Sequence, residues 1–124
     1  MLHYRQMDDL VRMLREKLPN VPMLMTTPPG SYESFRQRRR RRTYKINPRT
    51  AVAVQTIRRY ADENGLAVWD MYEILGGTHR ACLNWQEAGL MGPDHVHYLP
   101  DGYRLQGELF CQALLKAYND YVEY

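Results

Sequence analysis

The stretch Gly92-Pro93-Asp94-His95-Val96-His97-Tyr98-Leu99-Pro100-Asp101-Gly102-Tyr103 sets a carboxylate three residues ahead of an imidazole, in a loop punctuated by Pro and Gly. An aspartate so placed can hold one tautomer of a histidine that acts as a general base. Asp94 and His97 are therefore the candidate catalytic pair, with His95 the nearest competitor for the base and Asp101 for the carboxylate. Asp94, His95 and His97 are also metal-ligand types. No distant fourth ligand accompanies them, so neither a metal nor a cofactor is expected.

A base needs something to activate. The two serines, Ser31 and Ser34, stand in Pro29-Gly30-Ser31-Tyr32-Glu33-Ser34, which is not a nucleophile elbow. Cys82 and Cys111 fall in apolar surroundings inside predicted helices and read as small buried hydrophobes. They form no C-x-x-C pair and are too few for a disulfide framework. His3 and His79 are isolated and read as surface residues.

The elements that position the pair follow from periodicity. Met7, Leu10, Leu14 and Leu18 predict an amphipathic helix over residues 2–18, stopped by Leu18-Pro19-Asn20. Val21-Pro22-Met23-Leu24-Met25-Thr26-Thr27 is short, apolar and closed by Pro28-Pro29-Gly30, as expected of a strand buried on both faces of a parallel sheet. Asn47-Pro48 opens a second helix with an N-cap and a first-turn proline; Ala51, Val54, Ile57 and Ala61 form its stripe, and Asn64-Gly65 ends it. Leu66-Ala67-Val68-Trp69-Asp70 predicts a second strand, followed by a turn at Gly76-Gly77 and a short helix over residues 81–87.

The last helix runs from Asp101 or Gly102 to Tyr121. Leu105, Leu109, Ala113, Ala117 and Tyr121 repeat every fourth residue, widened by Phe110, Leu114 and Tyr118. Gly107 inside it costs about 1 kcal/mol relative to Ala, which close packing against a sheet would explain.

The segment 30–46 reads as a long basic loop without an apolar period. It holds six of the 17 basic residues, between Arg36 and Arg42, so the rest of the chain has 11 Lys and Arg against 14 Asp and Glu. With that acidic body and no aromatic interleaving in Arg38-Arg39-Arg40-Arg41-Arg42, nucleic-acid binding is not favoured. A non-catalytic module that binds an anionic polymer through this loop is the alternative function.

Hydrophobic residues at 44% and charged residues at 25% are ordinary globular values for a chain of 124 residues. No apolar run is long enough to span a membrane, and no signal peptide opens the chain. Helices alternating with short apolar runs predict an α/β architecture with parallel strands. Two short parallel strands make a poor independent sheet, so residues 1–124 are expected to be the C-terminal part of one larger domain whose N-terminal strands are missing.

Asp94-x-x-His97, after a βα unit and before a terminal helix, resembles the last block of the SGNH (GDSL-type) hydrolases. Gly102-Tyr103 and Gly107 continue the likeness into that helix. Thr27-Pro28-Pro29-Gly30 resembles the end of the family's penultimate strand, and Trp69-Asp70-Met71-Tyr72, Asn84-Trp85 and Gly89-Leu90-Met91 its approach to the catalytic loop. The resemblance covers this chain but only the second half of the family's domain.

It implies a flavodoxin-like three-layer α/β/α sandwich and ester hydrolysis or acyl transfer through a serine. By it, His97 is the general base and Asp94 its orienting carboxylate, while Asn84 and Trp85 are candidates for a substrate rim. The family's Gly-Asp-Ser and Gly-x-Asn-Asp blocks, which bring nucleophile and oxyanion hole, are absent here. The chain alone is therefore expected to be inactive. The substrate implied is an ester of acetylated carbohydrate, including cell-wall glycan, with a periplasmic or extracellular parent. A missing N-terminal half or a second copy is expected to cover the open sheet edge.

Overall fold

The computed structural model describes residues 2–36, 39–80 and 82–123. Arg38 of the basic run and Ala81 of the predicted short helix lie outside them.

Helix α1 (Leu2–Lys17) packs on α2 (Pro48–Glu63). Between them in the chain lie strand β1 (Leu24–Thr26) and a hairpin of β2 (Tyr32–Phe35) and β3 (Thr43–Ile46). After α2 come β4 (Ala67–Trp69), the short helices α3 (Met71–Ile74), α4 (Gly77–Arg80) and α5 (Leu83–Glu87), and α6 (Pro100–Val122). The caps of α2 are those read from the sequence. Asn47 accepts a hydrogen bond from the Arg49 N–H, and Gly65 turns the chain at φ +64°.

β1 and β4 pair in parallel, with Met25 opposite Val68 and Thr26 opposite Trp69. Helix α2 lies against this sheet, and on the Thr26–Trp69 side α6 brings Phe110 within 4.9 Å of the Trp69 ring. Helix, sheet and helix thus form the three expected layers, around a parallel sheet two strands wide.

The narrow sheet corrects four expectations. β1 is not buried on both faces: Leu24 is 40% exposed, because β4 alone flanks it among the described residues. Of the stripe of α6 only Leu109, Phe110 and Ala113 are partly buried, and Leu105, Leu114, Tyr118 and Tyr121 stay exposed. A helix of 23 residues is about 35 Å long, whereas three-residue strands span about 10 Å, so the sheet cannot cover it. Cys111, on the uncovered part, is exposed rather than buried, and a Cβ at Gly107 would meet no atom within 4 Å. Close packing does not explain that glycine.

The segment 30–46 is also corrected, from a loop to an antiparallel hairpin whose arginine-rich turn connects β2 to β3. Tyr32 lies opposite Ile46, Glu33 opposite Lys45, Ser34 opposite Tyr44 and Phe35 opposite Thr43. Tyr, Phe, Thr and Ile favour strands, and the arginines between them hide the alternation.

Leu75, Cys82, Trp85, Met91 and Tyr98 form the main buried cluster, directly beneath the Asp94–His97 loop; Val54 and Tyr72 form a smaller one. Tyr60, missed in the sequence, is buried, and its hydroxyl donates to Asp8 at 3.0 Å, tying α2 to α1. The accessible surface is 9580 Å², where a compact monomer of this mass shows about 6,900 Å².

Candidate active site

The ends of β1 and β4 meet in a small polar knot. Buried Thr27 follows β1, and its hydroxyl donates to Asp70 Oδ1 at 2.8 Å while accepting the Tyr72 N–H at 3.0 Å. Asp70 caps α3 by accepting the Glu73 N–H at 3.2 Å and lies 3.4 Å from Arg58. Hydrogen bonds from a buried hydroxyl fix where the chain leaves both strands, at the carboxyl ends where open α/β sheets carry their sites. Sequence reasoning missed Thr27, although its place at the end of an apolar run was a signal.

The loop over residues 91–99 is closed on itself. The Gly92 N–H donates to the His97 carbonyl at 2.7 Å, and the Leu99 N–H to the Leu90 carbonyl at 2.8 Å. Met91 and Tyr98 bridge as a single antiparallel pair. Beneath them Trp85 meets Tyr98 edge-on at 5.9 Å, and the buried Tyr98 hydroxyl donates to the Gly30 carbonyl at 3.0 Å. Burial pushes that phenol's pKa up, so it remains a donor.

Asp94 folds back over its own turn. Oδ1 accepts the backbone N–H groups of Val96 and His97, each at 3.0 Å, and Oδ2 lies 2.6 Å from His97 Nδ1. The His97 ring and then these two amides hold the Asp94 carboxyl well below the usual carboxylate range. Ionised Asp94 favours the His97 tautomer that donates from Nδ1, and in that tautomer Nε2 carries the lone pair. The His97 side chain is 74% exposed, and no hydroxyl or thiol among the described residues is hydrogen-bonded to it.

The rival residues go elsewhere. His95, at φ +59°, stacks on Tyr44 at 3.6 Å and meets Tyr32 edge-on at 5.6 Å, while its carbonyl accepts the Tyr32 N–H at 2.9 Å. Asp101 pairs with Arg104 on α6. The hairpin thereby clamps the loop through His95 and leaves His97 outside the clamp. Trp85 is a correction: at 8% exposure it is core under the loop rather than a rim, because its ring fills the space below Tyr98. Asn84 is exposed, and its Oδ1 accepts from Arg80. Buried Cys82 has its thiol pKa pushed up to about 11 by desolvation, so it is no nucleophile near neutral pH. Among the described residues no group of His, Cys, Asp and Glu could hold a metal ion.

Two effects follow on stability. A Cβ on Gly102, in the first turn of α6, would sit 2.7 Å from the Leu90 carbonyl oxygen and 3.2 Å from the Tyr98 Cβ. Gly102→Ala is therefore expected to cost about 1–3 kcal/mol, read as a lower urea midpoint. Asp94 has a depressed folded pKa, so its contribution is present above the unfolded value and is lost as pH falls through the folded one. Asp94→Asn should flatten the dependence of the urea midpoint on pH below about 4 and leave the neutral-pH slope unchanged.

A parallel α/β/α layer with an Asp-x-x-His loop entering its terminal helix resembles the SGNH-hydrolase fold. Two solved structures share it. A peptidoglycan O-acetylesterase superposes with a TM-score of 0.79 at 24% identity, covering 94% of this chain and 32% of its own. The esterase domain of the ORF1 protein from the zebrafish ZfL2-1 retrotransposon gives 0.60 at 16% identity, covering 90% of this chain and 56% of its own. The chain thus spans about a third of the first and just over half of the second. No family model and no curated protein matches it.

Proposed function

We propose that residues 1–124 are the C-terminal part of a single SGNH-type hydrolase domain and supply the base half of an esterase active site acting on O-acetylated carbohydrate. The observation that carries this reading is the Asp94–His97 pair, held at 2.6 Å between Oδ2 and Nδ1 on an imidazole whose side chain is largely exposed. The fold shared with two esterases supports it.

In this mechanism a serine hydroxyl attacks the acetyl carbonyl carbon while His97 Nε2 takes its proton. Asp94 stabilises the imidazolium through Nδ1–H. Collapse of the tetrahedral intermediate breaks the bond to the sugar oxygen, which leaves with the proton from Nε2. Water then enters by the same base and releases acetate. Amide donors beside the serine would hold the oxyanion.

The serine lies on a segment that docks against the uncovered α6 stripe and the outer edge of β1. The surface of 9580 Å², against about 6,900 Å² for a compact monomer of this mass, with apolar α6 residues among what is exposed, supports a partner segment at that face. A fluorophosphonate probe tests the arrangement in the protein that contains both this chain and a Gly-Asp-Ser segment. Labelling of that serine should be strong with His97 present and at least about a hundredfold slower with His97→Ala. Equal labelling of both forms would refute the base assignment.

A further inference from the structure

The basic hairpin is not used by the chemistry above, and its two faces differ. Residues opposite one another in the ladder share a face. Tyr32, Ser34, Tyr44 and Ile46 therefore form one face, which holds His95; Glu33, Phe35, Thr43 and Lys45 form the other, turned away from it. On that outer face a hollow of about 280 Å³ is lined by Phe35, Arg40, Arg41, Thr43 and Lys45. The Lys45 ammonium lies 5.5 Å from the centre of the Phe35 ring, which is 45% exposed.

We propose that this outer face binds carboxylate groups of an acidic glycan, and so holds the polymer whose ester reaches the Asp94–His97 loop. The inference rests on the reading of the site as a carbohydrate esterase and names the class of its substrate. Among the described residues no carboxylate pairs with Arg39, Arg40, Arg41, Arg42 or Lys45; Arg42 donates instead to the Ser34 hydroxyl at 3.2 Å. Glu33 is the one acidic residue in this face of the ladder, opposite Lys45. Two guanidinium forks beside an ammonium match the planar geometry of carboxylates. The exposed Phe35 ring offers an apolar surface to the C–H face of a sugar ring.

The ligand is a polymer because the hollow faces away from His95. A molecule held there reaches the loop only by continuing around the hairpin. A glycan fits better than a nucleic acid on two counts. Outside residues 36–42 the chain has 11 basic against 14 acidic residues, so beyond the hairpin its charge on balance repels a phosphate backbone. Phe35 is a single ring, where single-stranded nucleic acids are held on successive ones.

The test measures binding rather than turnover, so its result does not depend on the role of His97. Fluorescein-labelled oligogalacturonate is titrated with the 124-residue chain at low ionic strength, beside a neutral dextran oligomer and oligo-dT of matched length. Oligogalacturonate should bind, dextran should not, and added salt should weaken the complex steeply. The double variant Arg40→Glu, Arg41→Glu should weaken it at least about tenfold, while Arg12→Ala on α1 leaves it unchanged. Absence of binding, equal weakening by Arg12→Ala, or tighter binding of oligo-dT than of the uronate would each overturn the proposal.

Discussion

If the proposed function holds, replacing His97 with alanine in the complete protein is expected to lower kcat/KM for a short-chain aryl acetate by about 10⁴–10⁶, while His95→Ala keeps most of the activity. Proximity in sequence does not separate the two histidines, but surroundings do. His97 touches Asp94 through Nδ1 and is otherwise open, so its Nε2 is available to a proton. The His95 ring lies flat on Tyr44 at 3.6 Å, and its backbone is tied into the hairpin. Removing it loosens a brace and leaves the Asp94–His97 pair in place. The expected result is a modest fall in thermal stability and a change of less than about tenfold in rate. Equal losses from both substitutions, or from neither, would show the assignment to be wrong.

The same contrast shows what a sequence conveys here and what it does not. Asp94 and His97 were legible because a carboxylate acting on its own turn works at a spacing of three residues, and spacing is visible in a sequence. The α2 caps were legible for the same reason, since Asn47, Pro48 and Gly65 act within one turn of the helix end. What was not legible depends on residues far apart in the chain. Trp85 looked like a candidate rim because its neighbours resemble an active-site approach, yet Tyr98 and the loop close over it. Tyr44 looked like a residue in a charged loop, and its role as a platform for His95 appears only when the hairpin folds onto the loop.

The α6 stripe is a different case. Its period was read correctly, and the helix forms, but the expected burial fails at Leu105 and again beyond Ala113. A 3.6-residue period states that a face is apolar and does not state what covers it. Tyr121 is 80% exposed and Tyr118 is 63% exposed on a helix whose buried residues are Gly102 and Gln106. Sequence pattern and surface agree if that face is completed by a strand-bearing segment, which is also where the proposed mechanism requires its serine.

That requirement yields the second large effect. Purified by itself, the chain of 124 residues should hydrolyse a short-chain aryl acetate no faster than an equal concentration of free imidazole, within about threefold. An Asp–His pair without an acceptor for acyl transfer offers only general-base assistance to water, worth about 10²–10⁴ where the substrate is held in place. In the proposed mechanism the oxyanion donors and the bound substrate, which supply the residual rate of damaged triads, belong with the serine's segment. The proposed mechanism assigns no role to the serines of the chain. Ser34 lies in β2 and accepts from Arg42, and the Ser31 carbonyl is held by the Asn47 N–H. A complementing segment with a Gly-Asp-Ser block, added in trans or joined to the chain, should raise the rate by about 10³ or more, and His97→Ala should cancel the gain. Rapid turnover by the chain alone that survives Ser31→Ala and Ser34→Ala would mean that another nucleophile operates. Turnover lost with either serine would place the nucleophile on the hairpin. Either result would remove the need for a second segment and leave the exposed face of α6 to a role outside catalysis.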